Sequence, residues 1–411
     1  MTHLIGGISS AGRALPSIGA TPLQVTRSQG PYLWDSEGKC YLDTALGFGA
    51  SMLGHADPAV MEATCQALRN GPMPSFAHAA EEQAAAALTR YTGDLSQVIF
   101  LNTGSEAVHL ACRTAREATG RRLIAKFAAG YDGWYDQIAF GNAGTAAAQM
   151  AAGPRPQRDG IVLLRYNDLA DAQALFREYP DIAAVLVEPV LANAGCIAPA
   201  PGYLKALSDL AHQHGALVIL DEVLMGFRLH CGLSGTLLGA EPDLATLGKA
   251  IGSGIPVAAL VGRPTLMGLF EEGRIVRAGT YSGAPPACAA VLATLAQLAV
   301  SDYAGLLARG ERLRERIAEA FAEQGAAICS SGYGTVFTCW NSPTPPRDYT
   351  QASRLADPQW TLDLHSALRR HGVMSMPSAY GRVYLTFAHD EPACEALYQG
   401  YAAAAQALLK R

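Results

Sequence analysis

"AAVLVEPVLANAGCIAPAPGYLKALSDLAHQHGALVILDEV", residues 183–223, contains two short apolar runs separated by a helix-patterned segment. "AAVLVEPV" (183–190) and "ALVILDEV" (216–223) are apolar up to the acids near their ends, as strands buried on both faces are. Between them, "PGYLKALSDLAHQHG" (201–215) carries a helical pattern, with Pro201 near the first turn and Gly215 at the C′ position. Strand, helix and strand in that order form a parallel βαβ unit. Both strands end in acids: Glu188 on the first, Asp221 and Glu222 on the second. Ligands of open α/β sheets gather at the carboxyl ends of the strands, so these acids sit where chemistry is expected.

Outward from this unit the pattern repeats. "QVIFLN" (97–102) precedes "GSEAVHLACRTAREATG" (104–120), whose Gly120 suits a helix end, and "RLIAKF" (122–127) follows. The fold class predicted is α/β, with a mainly parallel sheet covered by helices. Residues 141–160, "GNAGTAAAQMAAGPRPQRDG", are rich in Gly, Ala and Pro and read as a mobile loop or flap. Beyond residue 300 the texture changes: an amphipathic helix (309–325), strand-like "GVMSMP" (372–377) and "RVYLTFA" (382–388), and an Ala-rich closing helix suggest a smaller α/β domain.

The totals narrow the function. The 411 residues are 50% hydrophobic and only 16% charged, and the net charge of −5 comes from interspersed residues. No basic stripe points to nucleic acid or an anionic membrane. Nine scattered cysteines without a C-x-x-C pair fit reduced thiols better than a disulfide framework or a zinc site. With no signal-like N-terminus and no apolar run of spanning length, a soluble cytoplasmic protein is expected. No metal site is expected: His212 and His214 lie on different faces of a helix, and His230 and Cys231 lack a partner at ligand spacing.

Lys249 is one of only five lysines, set in the apolar, glycine-rich "TLGKAIGSG" (246–254). Taken alone it reads as a snorkelling turn lysine. Desolvation favours the neutral amine, however, and that suits attack on an aldehyde. "TGSEAV" (103–108) opens a helix with small residues, a natural anion cradle, though small capping residues alone are a weak signal. A phosphate cradle, a buried acid and a desolvated lysine together match the needs of pyridoxal phosphate. Lys126, embedded in "RLIAKF", is the runner-up lysine and reads as structural, being on the wrong strand relative to Asp221.

These motifs, in this order and over nearly the whole chain, resemble the fold-type I, class III pyridoxal-phosphate aminotransferases, above all their glutamate-1-semialdehyde aminomutase branch. The resemblance implies a large cofactor-binding domain over 71–300 and a small α/β domain over 301–411. The segment 1–70 would add to the small domain and the substrate pocket. It implies that "LNTGSEAV" is the phosphate loop, with Gly104 and Ser105 on the phosphate. Tyr131 in "GYDGWYD" would stack on the cofactor, Asn193 in "VEPVLANAG" would approach its phenolic oxygen, and Val223 would cover the opposite ring face. Asp221 would hold the pyridinium nitrogen and Lys249 would form the Schiff base. Thr280 in "AGTYSGAPPA" would reach the phosphate bound in a partner subunit, which implies a homodimer with shared active sites.

On the substrate side, "GGISSAGRAL" (6–15) resembles the branch's N-terminal loop. That resemblance makes Arg13 the carboxylate clamp, with Ser10 nearby and Phe48 lining the pocket. A guanidinium fork suits a carboxylate better than an ammonium does. The chain departs from the pattern at several places. Asp132 replaces the histidine after Tyr131, Met225 a threonine and Ala284 an asparagine, while Gly381, followed by Arg382, stands where the aminomutases have a pocket glutamate. The loop 271–280 also lacks the branch's gating sequence. With the cofactor machinery kept and the substrate wall rebuilt, the activity expected is an aminotransferase. It would move an amino group from a donor, glutamate being the expected one, to a carboxylate-bearing keto or aldehyde acceptor through pyridoxamine phosphate. A 1,2-aminomutase or an amino-acid epimerase would use the same residues, and a non-catalytic binding module would not need Lys249, Asp221 and Tyr131 together.

Overall fold

The structure, a computed structural model, describes residues 3–13, 23–146, 148 and 155–409. Its strands are β1 (Val25–Gln29), β2 (Tyr32–Asp35), β3 (Cys40–Asp43), β4 (Gln97–Leu101), β5 (Leu123–Phe127), β6 (Gln157–Arg158), β7 (Ile161–Leu164) and β8 (Ile182–Val187). They continue with β9 (Leu217–Asp221), β10 (Leu244–Leu247), β11 (Ala258–Gly262), β12 (Cys329–Tyr333), β13 (Val336–Trp340), β14 (Val373–Met374) and β15 (Val383–Tyr384).

The central sheet has the order β4-β11-β10-β9-β8-β5-β7-β6. Five neighbouring strands, β10-β9-β8-β5-β7, run parallel. Only β11, antiparallel to both β10 and β4, and the two-residue edge strand β6 run against the rest. The continuous apolar runs are explained by burial on both faces. Along β5, Leu123, Ala125 and Phe127 enter one core while Ile124 enters the other, and β8 and β9 divide their side chains in the same way.

The helix Gly104–Thr119 crosses one face of this sheet. Thr103 and Glu106 close a capping box at its start, and Gly120, left-handed at φ 66°, ends it. The helix Tyr203–Gln213 begins behind Gly202, with Pro201 just outside it, and Gly215 follows in the left-handed region. "GHADP" (54–58), which reads as a turn, ends in Asp57 accepting from Ala59 N and Val60 N at the start of the helix Pro58–Arg69.

A four-stranded sheet of order β1-β2-β3-β14 joins the N-terminal segment to the C-terminal one, with β14 parallel to β3. A third sheet, β12-β13-β15, packs through β12 on the helix Tyr303–Ala322, which in turn packs on Glu391–Leu409. The amphipathic helix expected over 309–325 starts six residues earlier, capped by Asp302. In the flap-like stretch 141–160, residues 147 and 149–154 lie outside the described residues. Among the described residues no single helix is long and apolar enough to cross a membrane, and no group of three His, Cys, Asp or Glu side chains could hold a metal ion.

Candidate active site

Strand ends converge at one edge of the central sheet and leave a cavity of about 290 Å³. Gly104, Ser105, Tyr131, Asp221, Val223 and Lys249 all line it. Ala50, Asn102, Asp132, Gly133 and the stretch Gly254–Val257 complete the wall.

Lys249 follows β10 through a sharp turn. Gly248 is extended, Lys249 itself is left-handed at φ 44°, and a short 3-10 turn runs to Gly252. A left-handed lysine costs on the order of 1–3 kcal/mol and persists only where its surroundings impose it. Burial favours the neutral amine and lowers its pKa to about 8, against the opposing attraction of Asp221. The Arg382 and Arg228 guanidiniums depress it further.

Asp221 ends β9 and is buried. Its Oδ1 accepts from Val223 N at 2.9 Å and from Thr246 Oγ1 at 3.1 Å. Desolvation raises its pKa to about 7, and the Asp132 carboxylate pushes in the same direction. Glu188, at the end of β8, is raised well above the carboxylate range, first by burial and then by Asp132 and Asp221. Its Oε1 accepts from Tyr131 N at 2.7 Å, which fixes the backbone of the loop carrying the Tyr131 ring.

The same loop is gripped from below by Lys126. Its fully buried Nζ lies 2.9 Å from Asp132 Oδ2 and donates to Ile138 O at 2.7 Å, Asn142 Oδ1 at 3.0 Å and Gly130 O at 3.3 Å. In the sequence Asp132 stands as a departure from the family pattern and Lys126 as a structural lysine, and only the fold joins them. The available signal was a lone lysine in an apolar strand, which needs an acid to be buried.

At the start of the helix Gly104–Thr119 the capping box occupies the Glu106 N–H, while the first-turn amides of Gly104 and Ser105 make no hydrogen bond among the described residues. Gly104 is small for a reason: a Cβ there would meet Val223 Cγ1 at 2.8 Å and Cγ2 at 2.9 Å.

The remaining expected residues lie off this cavity. Asn193 stands in the loop after β8 and accepts from Arg382 Nη1 at 2.9 Å. Arg13 and Ser10 lie in an exposed N-terminal turn. That turn approaches Phe48, since a Cβ at Gly12 would lie 3.4 Å from the Phe48 ring. Phe48 is left-handed at φ 61° and packs with Ala192, Met376 and Tyr384. Thr280 is exposed, and its neighbours Gly279 and Ser282 line a different cavity with His78 and Glu81. His212 is tied to Asp243 Oδ2 at 2.9 Å, and His230 to the Leu233 carbonyl at 2.9 Å.

The sequence model of the class III aminotransferase family matches residues 16–336. The chain belongs to the class III aminotransferases. It is 37% identical over 394 residues to a glutamate-1-semialdehyde 2,1-aminomutase of Nitrosospira multiformis, covering 94% of this chain and 92% of that one. Among solved structures it resembles an omega-transaminase from Sphaerobacter thermophilus, with a TM-score of 0.89 and 28% identity over 98% of this chain and 94% of that one. A glutamate-1-semialdehyde aminomutase from Pseudomonas aeruginosa follows the same path with a TM-score of 0.82 and 26% identity, over 93% of this chain and 87% of that one. The class III fold is thus the fold-type I α/β architecture, and its members are pyridoxal-phosphate enzymes. The residues present fit that cofactor. A helix start with free amides suits a phosphate, a lysine with a depressed pKa suits an aldehyde, and a buried acid suits a ring nitrogen.

Proposed function

We propose that this class III enzyme moves an amino group between adjacent carbons of one small, carboxylate-bearing substrate, in the manner of the aminomutases it resembles. The observation that carries this reading is the 37% identity to a glutamate-1-semialdehyde 2,1-aminomutase across nearly the full length of both chains. That identity supports the aminomutase over the transfer between two molecules that the rebuilt substrate wall suggests. Transfer between molecules keeps the support of one feature: Gly381, followed by the buried Arg382, stands where the aminomutase pattern has a pocket glutamate.

Pyridoxal phosphate supplies an aldehyde and an electron-poor ring. The chain supplies the rest. Gly104 and Ser105 would hold the phosphate with backbone amides, and Tyr131 and Val223 would bracket the ring. Asn193 would sit near the phenolic oxygen, and Asp221 would keep the ring nitrogen protonated. Lys249 would then move a proton at the substrate carbon that bears nitrogen, since its neutral amine is accessible near neutral pH. Arg13 and Ser10 would receive the substrate carboxylate, with Phe48 against its carbon chain. Thr280 would serve the phosphate of a second subunit in a homodimer with shared sites, a reading supported by exposed Phe76, Trp134 and Tyr281. The nine unpaired cysteines support a cytoplasmic setting.

The test is to give the cofactor-loaded enzyme glutamate-1-semialdehyde with no second amino donor or acceptor. Accumulation of the isomer with its amino group on carbon 1 supports the aminomutase. Turnover that requires an added keto acid such as 2-oxoglutarate assigns transfer between molecules. No reaction of either kind overturns both.

A further inference from the structure

The loop 130–133 brings Tyr131, Asp132 and Gly133 into the cavity wall, and several elements hold its backbone. Glu188, just past β8, accepts from Tyr131 N at 2.7 Å. Lys126, on β5, donates to Gly130 O at 3.3 Å, and Asn142 donates from Nδ2 to Gly133 O at 3.2 Å. The loop also rests against the start of the helix Gly104–Thr119, because a Cβ on Gly133 would lie 2.9 Å from Ser105 Oγ. The Tyr131 ring has no comparable anchor. Its hydroxyl makes no hydrogen bond among the described residues, and 46% of the residue is exposed. The direction of the ring is therefore set by the backbone on either side of it.

Asp132 stands where the family pattern has a histidine, and its surroundings call for an acid. Lys126 Nζ is fully buried, and its three donors are taken by Gly130 O, Ile138 O and Asn142 Oδ1. None of these oxygens carries a charge. Asp132 Oδ2 lies 2.9 Å from the ammonium yet takes no hydrogen bond among the described residues, so it enters as a counter-charge. A buried ammonium needs such an anion. The attraction draws Asp132 inward, where 3% of the residue is exposed, and leaves Tyr131 on the open side. Asp132 and Glu188 also meet behind the ring. A Cβ on Gly130 would lie 3.1 Å from Asp132 Oδ2 and 3.5 Å from Glu188 Oε1.

We infer that Asp132 is a positioning residue of the cofactor site: drawn to Lys126, it fixes the turn from which Tyr131 faces the cofactor. The inference rests on the reading that Tyr131 stacks on the cofactor ring, and it adds the residue that sets the ring's angle. Glu188 holds the backbone at Tyr131 itself, and Asp132 holds the backbone that follows. The Asp132 carboxylate also raises the proton affinity of Asp221 and Glu188, as a charge lodged in this wall does.

The test titrates the apoprotein with pyridoxal phosphate and records the visible circular dichroism of the bound cofactor, which responds to how its ring is held. Melting temperature is followed alongside. Asp132→Asn should bind the cofactor about tenfold more weakly and with altered dichroism. In a Tyr131→Ala background the same change should cost about twofold at most, because a residue acting through Tyr131 then has nothing to act on. Asp132→Glu keeps the charge but moves it by one methylene, so it should lose less affinity while still altering the dichroism. Should Asp132→Asn fail to fold, Asp132→Glu carries the test, and wild-type affinity and dichroism in it overturn the inference. A folded Asp132→Asn with a lowered melting temperature but unchanged affinity and dichroism makes the ion pair structural and overturns the inference. An equal loss with and without Tyr131 overturns it as well. Tyr131→Ala alone reports on the stacking: full affinity in that variant removes the stacking reading and the inference together, whereas weakened binding there with a silent Asp132→Asn removes the inference alone.

Discussion

Lys249 sits in the turn that follows β10. An ammonium group in a glycine-rich apolar turn is poorly placed unless its neutral form has a use, and burial lowers its pKa to about 8 from an ordinary 10.5. The sign of the stability effect follows. Between about pH 8 and 10.5 the unfolded chain holds a proton that the folded chain has released, so this group's contribution to stability rises with pH across that window. Below pH 8 the folded chain carries the full cost. Replacing Lys249 by Met should therefore stabilise the cofactor-free protein at pH 7 by on the order of 1–3 kcal/mol, with the gain shrinking toward zero near pH 10.5. Paired thermal melts of wild type and variant across pH 7–10.5 read this directly, and a gain independent of pH would rule out the depressed amine. The same variant should have no turnover.

At the scale of elements, the helix Gly104–Thr119 shows how a site is made from packing. Its start is brought so close to Val223 that only glycine fits at its first position. Gly104→Ala would push the stiff, branched Val223 or lift the helix start, while gaining a few tenths to 1 kcal/mol of helix propensity. Cofactor affinity should fall about tenfold with little change in the melting temperature of the cofactor-free chain, measured by titrating the apoprotein with pyridoxal phosphate. Unchanged affinity would show that the close approach of Gly104 to Val223 has no part in binding. These elements were legible in the sequence because each rests on local rules: β4, β5, β8 and β9 on continuous apolar runs, and this helix on its cap and on Gly120. The six residues that line the cavity together were also legible, since the motifs carrying them follow strand ends. What escaped was non-local. Nothing near Lys126 in sequence says that its ammonium meets Asp132 through a folded-back loop, and nothing near Arg382 says that it ends on Asn193, 189 residues away. The reversed direction of β11 escaped for the same reason, because strand direction is a property of the sheet and an apolar pentad reads the same either way.

At the scale of the whole molecule, one chain leaves unfinished business at its surface. Thr280 lies exposed beside Val276 and Tyr281, which are 67% and 66% exposed. His78 Nε2 bonds to Gly283 O at 2.8 Å, so this segment is held against the one bearing Phe76, which is 83% exposed. Between them, His78, Glu81, Arg277 and Ser282 line a cavity of about 490 Å³. Trp134, at 74% exposure, stands three residues from Tyr131. Isolated exposed apolar residues need no explanation, but Phe76 and Tyr281 stand on two segments joined by the His78–Gly283 bond, and such paired exposed aromatics suit a contact surface. We propose a second copy as the occupant, since among the described residues Thr280 does not line the cavity that holds Lys249. The protein should therefore sediment at twice its 43.2 kDa mass at micromolar concentration. On that proposal, replacing Phe76 and Tyr281 with charged residues should yield a monomer that binds pyridoxal phosphate about tenfold more weakly, since the phosphate would lose whatever the second copy contributes. A wild type that sediments as a monomer with full cofactor affinity would show that each chain completes its own site, and Thr280 would then have no role in it.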